Sequence, residues 1–102
     1  MDEWYTYDMK TATLIHGMPD REEYYDPNRP ASSNCHWFPW LQKRLLLEDI
    51  LAQAPEMPVP YAPEYEAWKK TFEQFPLDEA TILVGHSCGA GFIVRYLSEH
   101  EV

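Results

Sequence analysis

The chain has 102 residues, 45% of them hydrophobic, and a formal net charge of −9. That length holds one domain at most, with a modest core, and the apolar content excludes compositional disorder. The charge argues against nucleic acid and against anionic membrane surfaces as partners. No apolar run approaches the ~18 residues of a membrane span. The opening "MDEWYTYDMK" lacks the basic and apolar regions of a signal peptide. Cys35 and Cys88 fit neither a disulfide framework nor a zinc spacing. A reducing cytoplasm is the expected setting, with no metal.

Taken in order, residues 1–10 read as an acidic, polar tail. "TATLI", 11–15, is a short buried strand that ends at His16-Gly17. Residues 18–36 are polar, proline-rich and without periodicity, and read as one long loop on the active-site side. A helix begins near Trp37, with Trp37, Trp40, Leu41 and Leu45 on its inward face and Pro39 confined to its first turn. "LAQAPEM" is a weaker strand, and "PVPYAP" a stiff loop. Tyr65, Trp68, Phe72 and Phe75 recur at helical spacing. "TILVG" is the strongest strand, and Ala90, Ile93, Val94 and Leu97 mark a last helix that starts just after Ser87. Alternation of this kind predicts a parallel sheet with helices packed on its faces.

The chemistry sits where the last strand meets the last helix. Gly85-His86-Ser87-Cys88-Gly89 matches G-x-S-x-G. At a nucleophile elbow a serine stands in a sharp strand-to-helix turn with its hydroxyl exposed. Gly85 and Gly89 suit a turn in which strand and helix pass too close for a Cβ. The N–H of Cys88 falls at a helix N-terminus, where donors are free and the dipole favours developing negative charge. A second oxyanion donor is expected from a neighbouring strand's loop. In "HGMP", Pro19 has no N–H, so Met18 is the natural donor, and Gly17 permits close approach. The plain alternative is a tight β-α turn whose serine caps a helix.

Together "LIHGMP", "HWFPWLQKRL", "APEMP", "YEAWKKTFE" and "TILVGHSCGAGFIVRYLSEH" resemble the small α/β hydrolases of the retinoblastoma-binding protein 9 type, which include bacterial YdeN-like esterases. The resemblance covers nearly everything after residue 10. It implies three parallel strands in the order 2-1-3 flanked by helices, the N-terminal half of an α/β-hydrolase fold, as a single partial domain over 1–102. It implies a serine hydrolase that needs no cofactor and acts on small ester-type substrates. Ser87 matches the nucleophile, and Cys88 and Met18 match the oxyanion donors.

One departure is plain: members of that family are nearly twice as long, and their triad Asp and His follow the elbow helix. Both are absent from this chain, which reads as truncated before them. His100 lies along the elbow helix, roughly 20 Å from Ser87 at ~1.5 Å per residue, so it is not the base. His86 is expected to pack or orient the turn, His16 to shape the oxyanion loop, and His36 to serve the following helix's N-terminus. Trp37, Trp40, Trp68 and Phe72 are expected in the core, Glu22 and Glu23 on a solvated surface. Tyr24 and Tyr25 fit either a pocket mouth or an exposed loop. Without a following strand, "TILVG" presents an open edge that invites self-association or a second chain.

Two alternatives to an esterase remain: a non-catalytic interaction module or inactive fragment of the same half-fold, and a nucleotide-binding βαβ unit. For the latter, Gly85, Gly89 and Gly91 have the wrong spacing, and no P-loop lysine follows.

Overall fold

The structure, a computed structural model, describes residues 10–101. Apart from Lys10, the expected N-terminal tail lies outside them. Along the chain run β1 (Lys10–Ile15), α1 (Arg21–Tyr25), a 3-10 turn (Ser32–Asn34), α2 (Phe38–Leu47), β2 (Ile50–Gln53), α3 (Tyr65–Phe72), β3 (Ile82–Gly85) and α4 (Cys88–Glu99). The strands pair in parallel, as their alternation with helices predicts, and in the order β2-β1-β3 that the family resemblance implies. Lys10 through Thr13 stand opposite Ile50 through Gln53, and Ala12 through Ile15 opposite Ile82 through Gly85.

β1 is central, so both of its faces are covered, and Ala12, Thr13, Leu14 and Ile15 are all buried. Alternation along the strand divides the core in two. Ala12 and Leu14 pack with Phe38, Ala52, Ile82 and Val84 under α2. Ile15 points the other way, into Met57, Trp68, Phe72, Phe92, Ile93 and Tyr96 under α3 and α4. Helices thus cover both faces of the sheet.

Three expectations are corrected. Trp37 and Trp40 are not core: Trp40 is 65% exposed and Trp37 38%. Phe38 takes the inward phase, with Leu41 and Leu45 following it. Trp37 is the residue that caps α2, at φ −89° and ψ 1°. Its non-helical backbone takes it off the helical period. Trp68 and Phe72 are buried as expected. On α4 the inward stripe is Gly89, Phe92, Ile93 and Tyr96, whereas Val94 (69%) and Leu97 (40%) face outward. The close approach of Gly89 to β1 sets that phase. Finally, the 18–36 stretch is not structureless. Asp20 accepts from Glu23 N–H and Glu23 reaches back to Asp20 N–H, a capping box that starts α1. Glu23, expected as plain surface, also pairs with Arg29.

Candidate active site

The turn between β3 and α4 is built by exclusion of side chains. After Gly85 the ladder runs one step further, His86 N–H donating to Ile15 C=O at 3.0 Å. Ser87 then stands at φ 55°, ψ −115°, and α4 begins. A residue with a Cβ held in such a region costs ~1–3 kcal/mol, and persists only where its surroundings over-determine it. The surroundings here do so. A Cβ on Gly85 would lie 2.5 Å from Ala90 Cα. One on Gly89 would fall on the carbonyl oxygen of Ile15 and 2.6 Å from that of His16. The two glycines let α4 sit directly on the ends of β1 and β3. Ser87 is exposed, and its side chain caps nothing.

The first N–H groups of α4 are nearly all used. Gly89 donates to His86 C=O, and Ala90 and Gly91 donate to Ser87 C=O, at 2.9–3.2 Å. Cys88 N–H has no acceptor among the described residues. It is left as a free donor at the positive end of the helix, beside Ser87.

The loop after β1 comes up against this turn. His16 is buried, and its ring is fixed from both sides. Met57 N–H donates to Nε2 at 2.9 Å. Nε2 is therefore an acceptor, so the ring is neutral, and Nδ1 carries the proton that it donates to Gly17 C=O at 2.7 Å. Trp68 meets the ring edge-on at 5.9 Å. His16 thus holds the loop and has no free nitrogen to serve as a base. A Cβ on Gly17 would lie 3.3 Å from Ser87 Cβ and 3.1 Å from His86 C=O, so this position is tight for any larger residue. Met18, next along, is exposed, and its N–H has no acceptor among the described residues. Two N–H groups thus lack acceptors among the described residues, Met18 on the loop after β1 and Cys88 at the start of α4, and that loop meets the Ser87 turn at Gly17.

A cleft of about 690 Å³ opens here, lined by His16, Gly17, Met18, His86 and Ser87. Gly85, Cys88 and Gly89 are not part of its lining. Burial raises the thiol pKa of Cys88, consistent with a small packing group. The ring of His86 packs on His36 (5.2 Å) and edge-on to Trp37 (5.8 Å). His36 also lines the cleft, at φ 57° two residues before α2. Tyr24 belongs to the cleft wall, whereas Tyr25 is exposed with its hydroxyl 3.1 Å from that of Tyr61. His100 is remote, stacked on Tyr96 at 4.1 Å with Nδ1 2.9 Å from Tyr96 C=O. Among the described residues, no histidine hydrogen-bonds the Ser87 hydroxyl. Glu56, which also lines the cleft, carries no signal in spacing or composition.

Comparison with known proteins agrees with this architecture. The family described as Serine hydrolase matches residues 27–102. The chain belongs to the serine hydrolase family. It is 49% identical over 72 residues to "Putative hydrolase YdeN" of Bacillus subtilis (strain 168), covering 69% of this chain and 37% of that protein. It is 34% identical over 68 residues to "Serine hydrolase RBBP9" of Rattus norvegicus, covering 65% of this chain and 37% of that one. The crystal structure of the ydeN gene product from B. subtilis superposes with a TM-score of 0.70 at 38% identity, over 90% of this chain and 45% of that one. This serine hydrolase family member thus shares the α/β fold of YdeN and spans less than half the length of these relatives. None of its described helices is long and apolar enough to cross a membrane.

Proposed function

We propose that the chain is the nucleophile-bearing part of a serine esterase, with 85–89 as its nucleophile elbow. The observation that carries this is the backbone of Ser87, an exposed serine at φ 55° between Gly85 and Gly89, neither of which has room for a Cβ. Ser87 Oγ attacks a small ester's carbonyl, and the Met18 and Cys88 N–H groups receive the developing oxyanion. The alcohol leaves, and water releases the acyl group from Ser87. His16, Gly17 and His86 hold the two loops against each other.

The acid–base pair, an Asp and a His, is assigned to sequence outside this chain, because the chain spans only 37% of its YdeN relative. On this reading the chain carries the nucleophile-bearing part of a longer hydrolase fold. β3, half-buried and at the sheet edge, and the outward Val94 and Leu97 then form the surface for that remaining part, supplied by a second chain or replaced by self-association. The free thiols of Cys35 and Cys88 fit a reducing cytoplasm.

The test is release of 4-nitrophenol from 4-nitrophenyl acetate, compared between the chain and Ser87→Ala. Oxyanion donors and binding give a residual rate that survives loss of the serine itself, so the Ser87-dependent part is read as the difference between the two proteins. A rate that Ser87→Ala lowers is expected. A rate unchanged by the substitution would remove the esterase reading in favour of a non-catalytic module.

A further inference from the structure

The cleft beside Ser87 carries an unbalanced charge. Of its charged side chains, Glu23 and Arg29 pair with each other, Arg29 Nη2 donating to Glu23 Oε2. Glu56 has no such partner among the described residues. Its Oε1 accepts Ser33 N–H at 3.0 Å. Its Oε2 lies 3.6 Å from His16 Nε2. That separation resembles an ion pair, but the chemistry does not. Nε2 already accepts the Met57 N–H, so it presents a filled lone pair and no proton. Oε2 therefore faces another acceptor and receives no donor from the described residues. Glu56 is exposed and lines the cleft, so water or a bound group supplies the donor to Oε2. The Glu56 charge is felt at the neighbouring Cys35 thiol on the cleft wall. The Cys35 thiol is raised first by burial, lowered by Arg29, and raised again by Glu56 and Glu23.

We infer that Glu56 is a specificity-determining residue that selects substrates carrying a cationic group, an ammonium or a guanidinium, near the scissile acyl bond. The inference rests on the hydrolase reading and names the substrate class of that same cleft. Glu56 adjoins His16, and Gly17 adjoins Ser87. One loop thus separates the carboxylate from the nucleophile, and the cation belongs on a small substrate. An N–H⁺ donor reaching Oε2 supplies the missing hydrogen bond in charge-assisted form. A neutral group there displaces water from Oε2 and returns nothing, and an anionic group meets like charge.

The test needs no turnover. The 102-residue chain is titrated with benzylammonium and, separately, with the near-isosteric benzyl alcohol, following the Ser33 and Met57 amide resonances. Benzylammonium is expected to shift both amides and to bind roughly tenfold more tightly, the lower end for a charge-assisted hydrogen bond. Glu56→Gln, whose amide oxygen still accepts Ser33 N–H, is expected to erase that preference. The double variant Glu23→Gln with Arg29→Gln, which removes the paired charges together, is expected to keep it, which preserves the test if Glu56→Gln does not fold. Equal affinity for the two probes, a preference surviving in Glu56→Gln, or its loss in the double variant would overturn the assignment. None of those results bears on Ser87, whose reactivity is scored separately with neutral reagents. Failure of the specificity and failure of the hydrolase reading therefore remain distinct.

Discussion

Replacing Ser87 by glycine is predicted to make the protein more stable, and by more than replacing it with alanine. Alanine removes only Oγ, which is exposed and caps nothing. It keeps the Cβ, so the cost of φ 55°, ψ −115° stays. Glycine removes the Cβ and releases that cost, ~1–3 kcal/mol. Against this stands the extra unfolded-state entropy of glycine, roughly 0.5–1 kcal/mol. The side chain is exposed, so no cavity term enters. The balance is a gain of about 1 kcal/mol over Ser87→Ala, which for a domain of this size is a shift of roughly 4–8 °C in Tm. Thermal and urea unfolding of the three proteins, followed by circular dichroism, reads it out. If Ser87→Gly proved equal to or less stable than Ser87→Ala, the serine would not be strained, and the argument that packing forces it outward would fail.

Other consequences are as specific. Gly89→Ala drives a Cβ onto the Ile15 carbonyl, where only backbone can yield; a loss of at least ~2–3 kcal/mol in urea unfolding is expected. Gly91→Ala, on the same helix with nothing within 4 Å of the new Cβ, is expected to stabilise by about 0.5–1 kcal/mol. His16→Ala leaves the buried Met57 N–H without its acceptor and is expected to cost roughly 1–3 kcal/mol, with the Gly17 and Met18 amide resonances shifting in the same samples. The Tyr96 phenol is pushed up to about 12, chiefly by burial and then by its hydrogen bond to Glu73. The folded state thus favours the neutral phenol. Its contribution is complete below the unfolded value of about 10 and is lost as pH rises from there to about 12. Tyr96→Phe should flatten the fall in stability over that window relative to the parent, and an unchanged slope would count against the buried phenol.

What the sequence reveals and conceals follows from range. The parallel sheet is legible because "TATLI" and "TILVG" are apolar runs and the glycine–serine turn has a local signature, whereas the strand order followed only from the family resemblance. Gly85 and Gly89 could be read as a close approach, although the partner of Gly89 is the end of β1 and not only its own strand. The capping box of α1 was equally local, in Asp20 and Glu23, and was obscured by the surrounding prolines. Helix phase was less legible. Trp37 fits the period of α2 but sits on a non-helical backbone, and α4 carries apolar residues on two sides, so periodicity alone could not choose between Ile93 and Val94. The fixing of His16 was not legible at all. It depends on Met57, 41 positions away, and the same is true of Glu56 in the cleft. Such contacts exist only once β2 and the segment after it have docked beside β1.

The most direct test of the central claim is to locate the covalent bond. The folded chain is treated with a neutral fluorophosphonate and its intact mass and peptide fragments are measured. A single adduct on Ser87, formed slowly without an acid–base pair and absent from Ser87→Ala, is the predicted result. A folded chain that takes no label, or an adduct that persists in Ser87→Ala, would contradict it.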